Sequence, residues 1–112
     1  VADIKVCDVD QLAARMAAHP SLKVVDVRTP EEFAEVHAVG VVNVPLSELS
    51  LETLRAVGVT DPQAPLHLIC RSGARSMHAA QALSAAGFAD LVNVAGGTIA
   101  WQQRGLPVKS GE

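Results

Sequence analysis

The strongest constraint on the fold of this chain is an alternation. Short apolar runs recur, and nearly every one is followed by a helix-start signal. Ile4-Lys5-Val6 reads as a first short strand. Asp8 then opens a helix, with Gln11 three residues on to complete a capping box, Leu12 and Met16 on its apolar face, and His19-Pro20 at its end. The run from Leu22 to Val27 is β-branched and reads as a buried strand. Thr29-Pro30-Glu31-Glu32 is a helix start: a threonine cap, proline at the first helical position, and glutamate three after the cap.

The pattern continues through a third strand, Val41-Val42-Asn43-Val44, stopped by Pro45. Ser50 caps a helix from Leu51 to Ala56, closed by Gly58, and Thr60-Asp61-Pro62 is a turn. Leu66 to Ile69 is a fourth strand, Arg75 to Ala86 a helix with Gly87 past its end, and Leu91 to Val94 a fifth strand. Gly96-Gly97 is a tight turn before a short helix, Thr98 to Gln103, ended by Gly105-Leu106-Pro107. Strands that alternate with helices predict an α/β fold with a mostly parallel sheet.

The chain has 112 residues, enough for a single domain over 1–112. At this size folding buries roughly 65% of the unfolded surface, so one modest core needs no staples. With two Phe, one Trp and no Tyr, that core is aliphatic. The net charge of −3 argues against a nucleic-acid partner. No apolar run approaches the roughly 20 residues of a membrane span, so no membrane partner is expected. Two cysteines far apart, Cys7 and Cys70, make neither a disulfide scaffold nor a zinc site. No leader is visible, so the cytoplasm is the expected compartment, although a chain starting at Val1 leaves room for a trimmed segment.

The chemistry concentrates in Cys70-Arg71-Ser72-Gly73-Ala74-Arg75-Ser76. Cys70 follows a predicted strand and precedes a predicted helix. In open α/β sheets, ligands sit outside the carboxyl ends of strands. A helix N-terminus offers unpaired N–H groups and a positive dipole end, which stabilise a thiolate and an adjacent anion. Gly73 lets the loop curl so that N–H groups point inward. Arg71 and Arg75 add charge, and Ser72 and Ser76 add hydroxyl donors. A buried structural cysteine before an ordinary helix start leaves those two arginines and two serines unexplained.

This loop, with Asp26-Val27-Arg28-Thr29-Pro30-Glu31-Glu32-Phe33 upstream and Gly96-Gly97-Thr98-Ile99-Ala100-Trp101 and Gly105-Leu106-Pro107-Val108 downstream, resembles a single-domain rhodanese. The likeness runs from about Ile4 to Val108. It implies a five-stranded, mostly parallel sheet with helices on both faces and a sulfurtransferase that carries sulfane sulfur as a cysteine persulfide. Carried over, Cys70 is the catalytic nucleophile. Arg71, Ser72, Gly73, Ala74, Arg75 and Ser76 bind a small anionic sulfur donor such as thiosulfate. The acceptor is a thiol, cyanide or a protein, and neither metal nor organic cofactor is implied.

One segment departs from the family pattern. Val36-His37-Ala38-Val39-Gly40-Val41 stands where the family often has Gly-His-Ile-Pro-Gly-Ala, so the turn there is expected to differ. Two rivals remain. A cysteine phosphatase or arsenate reductase of related fold places its arginine one position further from the cysteine than Arg75 stands from Cys70. A non-catalytic rhodanese-like interaction module usually lacks the cysteine.

Outside the loop the simpler readings are structural. Asp26 and Arg28 form an ion pair or cap, with a place at the site mouth as the alternative. Glu32 completes a capping box, His37 is a hydrogen-bonded strut, Cys7 is a structural thiol, and Trp101 packs the last helix on the sheet. His19, His67 and His78 show no base-like relation to Cys70.

Overall fold

The computed structural model describes residues 3–111. Val1, Ala2 and Glu112, which the single-domain expectation includes, lie outside the described residues. In chain order the elements are β1 (Lys5–Cys7), α1 (Val9–Ala18), β2 (Lys23–Asp26), α2 (Pro30–Glu35), β3 (His37–Ala38) and β4 (Val42–Asn43). A single 3-10 turn at Leu46–Glu48 leads to α3 (Leu51–Ala56), β5 (Leu66–Ile69), α4 (Ala74–Ala85), β6 (Leu91–Val94), α5 (Gly97–Gln103) and β7 (Val108–Lys109).

Five strands form one parallel sheet in the order β1-β6-β5-β2-β4. The two faces follow from the two-residue period of a strand. Val25, Leu66, Leu68 and Cys70 turn to one face, where they meet Leu54 of α3 and Ala79, Ala80 and Leu83 of α4. Val24, Ile69, Val92 and Val94 turn to the other, where they meet Leu12 of α1 and Trp101 of α5. Leu54, Leu66, Leu68 and Leu91 are almost fully buried, and each stabilises the fold by roughly 2 kcal/mol relative to exposure.

The chain leaves β2 through α2 toward β4, and leaves β5 through α4 toward β6. The connections therefore diverge between β2 and β5, which opens a crevice at their carboxyl ends. Cys70 stands at the end of β5, and Arg28 and Thr29 stand just beyond β2.

Several boundaries differ from the sequence expectation. β1 lies one residue later than expected and takes in Cys7. α4 starts at Ala74 and ends at Ala85, because Gly73 is its N-cap with φ 110°. α5 starts at Gly97. The strand expected over Val41–Val44 pairs only at Val42 and Asn43, against Val25 and Asp26. A second, antiparallel sheet of β3 and β7 was not expected. It pairs His37 with Lys109 and Ala38 with Val108, tying the segment after α5 to the one after α2.

Candidate active site

Helix caps decide where free N–H groups remain. α1, α2 and α3 each begin with a capping box, Asp8 with Gln11, Thr29 with Glu32, and Ser50 with Thr53. Their first N–H groups are thus already bonded to side chains. α4 has no side-chain cap, since Gly73 has nothing to offer. Its N-terminal N–H groups are left for something else, and Cys70 Sγ is what they meet.

The sulfur is buried, with Cys70 only 1% exposed. Its Sγ accepts from the Gly73 N–H at 3.1 Å and from the Ser76 hydroxyl at 3.3 Å. Burial alone pushes the thiol pKa up. The Ser76 hydroxyl and the N–H groups of Ser76, Gly73 and Ser72 outweigh it, so the thiol lies below its ordinary value. Cys7 shows the opposite outcome. Burial raises it, Arg15 offsets only part of that, and Asp8 adds to the rise. Cys7 packs on the other face of the sheet from Cys70, and both cysteines are free thiols.

The loop is pinned from a second side by α5. Thr98 donates to the Cys70 carbonyl through its N–H at 2.9 Å and its hydroxyl at 3.0 Å, and the Ile99 N–H donates to the Arg71 carbonyl at 3.1 Å. Gly97 makes this approach possible. It has φ +55°, and a Cβ there would run into the carbonyls of Cys70 and Arg71.

The predicted loop residues divide by role in the geometry. Gly73 and Ser76 touch the sulfur directly. Ser72 contributes its N–H, and Ala74 begins α4 with its side chain exposed. The Arg75 guanidinium is engaged by Glu32, Nη1 to Oε1 at 2.6 Å and Nη2 to Oε2 at 2.8 Å. Among the described residues, Arg71 makes no side-chain hydrogen bond or ion pair. It lines a cavity of about 200 Å³ with Arg28, Glu32, Glu35, Thr98 and Gln102. A larger cavity of about 400 Å³ lies between Met16, Leu22, Val39 and Trp101 and includes no residue of the cysteine loop.

Residues around the loop are held by close contacts. Arg28 closes on Asp26 (Nη2 to Oδ2 2.7 Å) and also donates to the carbonyls of Glu32 and Val36, so this buried pair braces α2. His37 Nδ1 lies 2.7 Å from the Phe33 carbonyl, and its ring stacks on Phe33 at 3.7 Å. Trp101 Nε1 donates to the Pro107 carbonyl at 2.7 Å. Among the described residues no three His, Cys, Asp or Glu side chains group to hold a metal ion.

Two residues of the site escaped sequence reasoning. In sequence Glu32 reads as a cap; in the structure it both caps α2 and holds Arg75. Asn93, buried in β6, lies against Ser76 at 2.5 Å and donates to the Gly73 carbonyl at 3.2 Å. The available signal was a polar side chain inside the otherwise apolar run Leu91-Val92-Asn93-Val94.

Known proteins are similar to this chain in sequence or in fold. A sulfurtransferase of Allochromatium vinosum is 31% identical over 105 residues, covering 94% of each chain. Thiosulfate sulfurtransferase 16, chloroplastic, of Arabidopsis thaliana is 38% identical over 93 residues, covering 76% of this chain and 78% of its own. The crystal structure of a rhodanese-like domain protein from Staphylococcus aureus superposes with a TM-score of 0.75 at 29% identity, covering 95% of this chain and 99% of that one. The family profile for the rhodanese-like domain matches residues 8–104, and the chain belongs to that family of sulfurtransferase-type domains.

Proposed function

We propose that this chain transfers sulfane sulfur from a small anionic donor such as thiosulfate to a thiol, cyanide or protein acceptor, through a persulfide on Cys70. One observation carries the reading. The Cys70 sulfur sits against the N-terminus of α4, where it accepts from the Gly73 N–H in place of an N-cap side chain, and its pKa is lowered there.

The chemistry runs in two displacements. The Cys70 thiolate attacks the outer sulfur of thiosulfate. A new S–S bond forms, the bond to the sulfonate sulfur breaks, and its electron pair leaves on sulfite. The persulfide then carries its charge on the outer sulfur. An acceptor nucleophile attacks that sulfur, and the electron pair of the S–S bond returns to Cys70. Covalent catalysis of this kind predicts ping-pong kinetics.

The roles in the loop follow from reach. The N–H groups of Ser72, Gly73 and Ser76 hold negative charge on sulfur. Arg71, with its guanidinium unengaged, meets the incoming anion. Arg75 adds charge near the sulfur while Glu32 fixes its position. Ala74, small and exposed, leaves the approach open.

The test is intact mass after brief exposure to thiosulfate, with sulfite assayed in parallel, for wild type and Cys70→Ala. One added sulfur on wild type alone, matched by sulfite, is expected. A folded wild type that takes up no sulfur from thiosulfate or from glutathione persulfide overturns the reading and favours a non-catalytic interaction module.

A further inference from the structure

Ser76 has one hydroxyl hydrogen and two acceptors facing it. Cys70 Sγ lies 3.3 Å from Oγ, and Asn93 Oδ1 lies 2.5 Å from it. All three residues are buried. The orientation of the Asn93 amide is fixed by its other end, where Nδ2 donates to the Gly73 carbonyl at 3.2 Å. Turned over, the amide would set two carbonyl oxygens against each other. Oδ1 therefore faces Ser76 and competes with the sulfur for a single hydrogen.

We propose that Asn93 is a positioning residue that holds the Ser76 hydroxyl hydrogen while Cys70 is a neutral thiol and yields it when the sulfur carries charge. In the thiol state the hydroxyl donates to Asn93 Oδ1, and the S–H of Cys70 donates weakly to Ser76 Oγ. On ionisation the hydroxyl rotates to Sγ, since a charged acceptor makes the stronger bond. Asn93 then loses a short buried hydrogen bond. Its presence opposes ionisation and keeps the thiolate basic, and a more basic thiolate is the better nucleophile.

The consequence for turnover rests on the sulfur-transfer reading. Persulfide formation moves the charge one atom outward, away from Sγ. The hydroxyl then returns to Asn93, so the Ser76–Asn93 pair has different arrangements in the empty and loaded enzyme. The charged groups around Cys70 are Arg71 in the loop, Arg75 on α4, Glu32 on α2, and the Asp26–Arg28 pair at the end of β2. β6 contributes only the neutral Asn93 at this level.

The experiment is the pH profile of Cys70 alkylation by iodoacetamide, read by peptide mass, which needs no sulfur donor. Wild type, Asn93→Ala, Ser76→Ala and the double variant are compared. Ser76→Ala should move the midpoint to higher pH. Asn93→Ala should move it to lower pH, with alkylation below the wild-type midpoint about fivefold faster, the factor one ordinary hydrogen bond represents. In the Ser76→Ala background, removing Asn93 should produce no such downward shift.

A loop merely loosened by loss of the Gly73 anchor would move the midpoint upward instead. An upward or absent shift in Asn93→Ala, or a downward shift that survives without Ser76, overturns the proposal. A second measurement needs no Asn93 variant. The Asn93 side-chain carbonyl carbon resonance in wild type should titrate with Cys70 and should not do so in Ser76→Ala. A flat signal in wild type overturns the proposal even if the variants fail to fold. Failure of thiosulfate loading would sink the sulfur-transfer reading and leave these results standing.

Discussion

Arg75 and Glu32 close on one another as two forks, with two parallel hydrogen bonds of 2.6 and 2.8 Å between α4 and α2. The same carboxylate accepts from the N–H and hydroxyl of Thr29. The Arg75 hydrogen bonds chiefly, with those from Thr29 adding to them, hold the Glu32 carboxyl down at about 2. A depressed carboxylate pKa stabilises the fold fully above the unfolded value, near 4.5, and that stability is lost as pH falls toward 2. Both side chains are about one-third exposed, so solvent screens the pair and its contribution at neutral pH is about 1 kcal/mol. Thermal midpoints of wild type and Glu32→Gln should differ by a few degrees at pH 7 and converge near pH 2. A gap that stays constant across this range would show that the ion pair is not what Glu32 contributes.

Arg75→Ala acts on charge more than on the fold. It strips a cation from beside Cys70 and leaves the Glu32 carboxylate facing the loop alone. Sulfur loading from thiosulfate should slow by about tenfold, the lower end of what one hydrogen bond to a charged group contributes, while the thermal midpoint falls by only a few degrees. Arg71→Ala should raise KM for thiosulfate with little change in kcat, because an exposed, unengaged cation acts on binding. Activity and stability falling in proportion in Arg75→Ala would mean the arginine is only a brace.

The elements legible in sequence were those with local signals. Capping boxes at Asp8 and Thr29 and a serine cap at Ser50 announced three helices, and short apolar runs announced the sheet strands. β3 and β7 have two residues each, too short for any alternation to register. They are also joined across 70 positions, from Ala38 to Val108, a pairing no local pattern encodes. The site divides in the same way. Cys70 to Ser76 is contiguous and could be read from one stretch. Asn93 reaches the loop from the neighbouring strand and Glu32 from a helix 43 positions away, so their roles exist only after folding. The capping box hid Glu32 in plain view, since its Oε1 bonds Thr29 and Arg75 together while Oε2 is left to Arg75.

Gly97→Ala should separate loop placement from loop composition. The new Cβ would collide with the carbonyls of Cys70 and Arg71, and φ +55° is unfavourable for alanine in its own right. Backbone strain of about 1–2 kcal/mol and overpacking of about 1–3 kcal/mol should lower the thermal midpoint by roughly 10 °C or more. Sulfur loading should fall as well, because the displaced carbonyls belong to Cys70, the proposed nucleophile, and its neighbour. Gly87→Ala is the control. Its φ is +103° and its Cβ would meet open space, so only the backbone cost applies and loading should be unchanged. Equal loading in the two variants would show that α5 does not set the loop's position.

His67, within β5, should govern stability in mild acid. Burial first, then the Arg15 charge, push its pKa down to about 4, with Lys5 adding to the fall and Asp90 opposing it. Arg15 Nη1 lies 3.0 Å from Nε2 and must be the donor, so the neutral ring carries its hydrogen on Nδ1. Among the described residues Nδ1 is buried without a partner, which costs about 1–3 kcal/mol. In the unfolded chain this histidine protonates near 6.5, well before it does so in the fold. The unfolded state therefore binds more protons between about pH 6.5 and 4, and stability falls as pH drops through that window, by about 2–4 kcal/mol in all. His67→Leu keeps a similar volume and removes the unpaired N–H. Its stability at pH 7 should lie within about 1 kcal/mol of wild type, and its urea midpoint should lose most of the fall that wild type shows between pH 6.5 and 4. An unchanged acid slope would assign that loss to other groups.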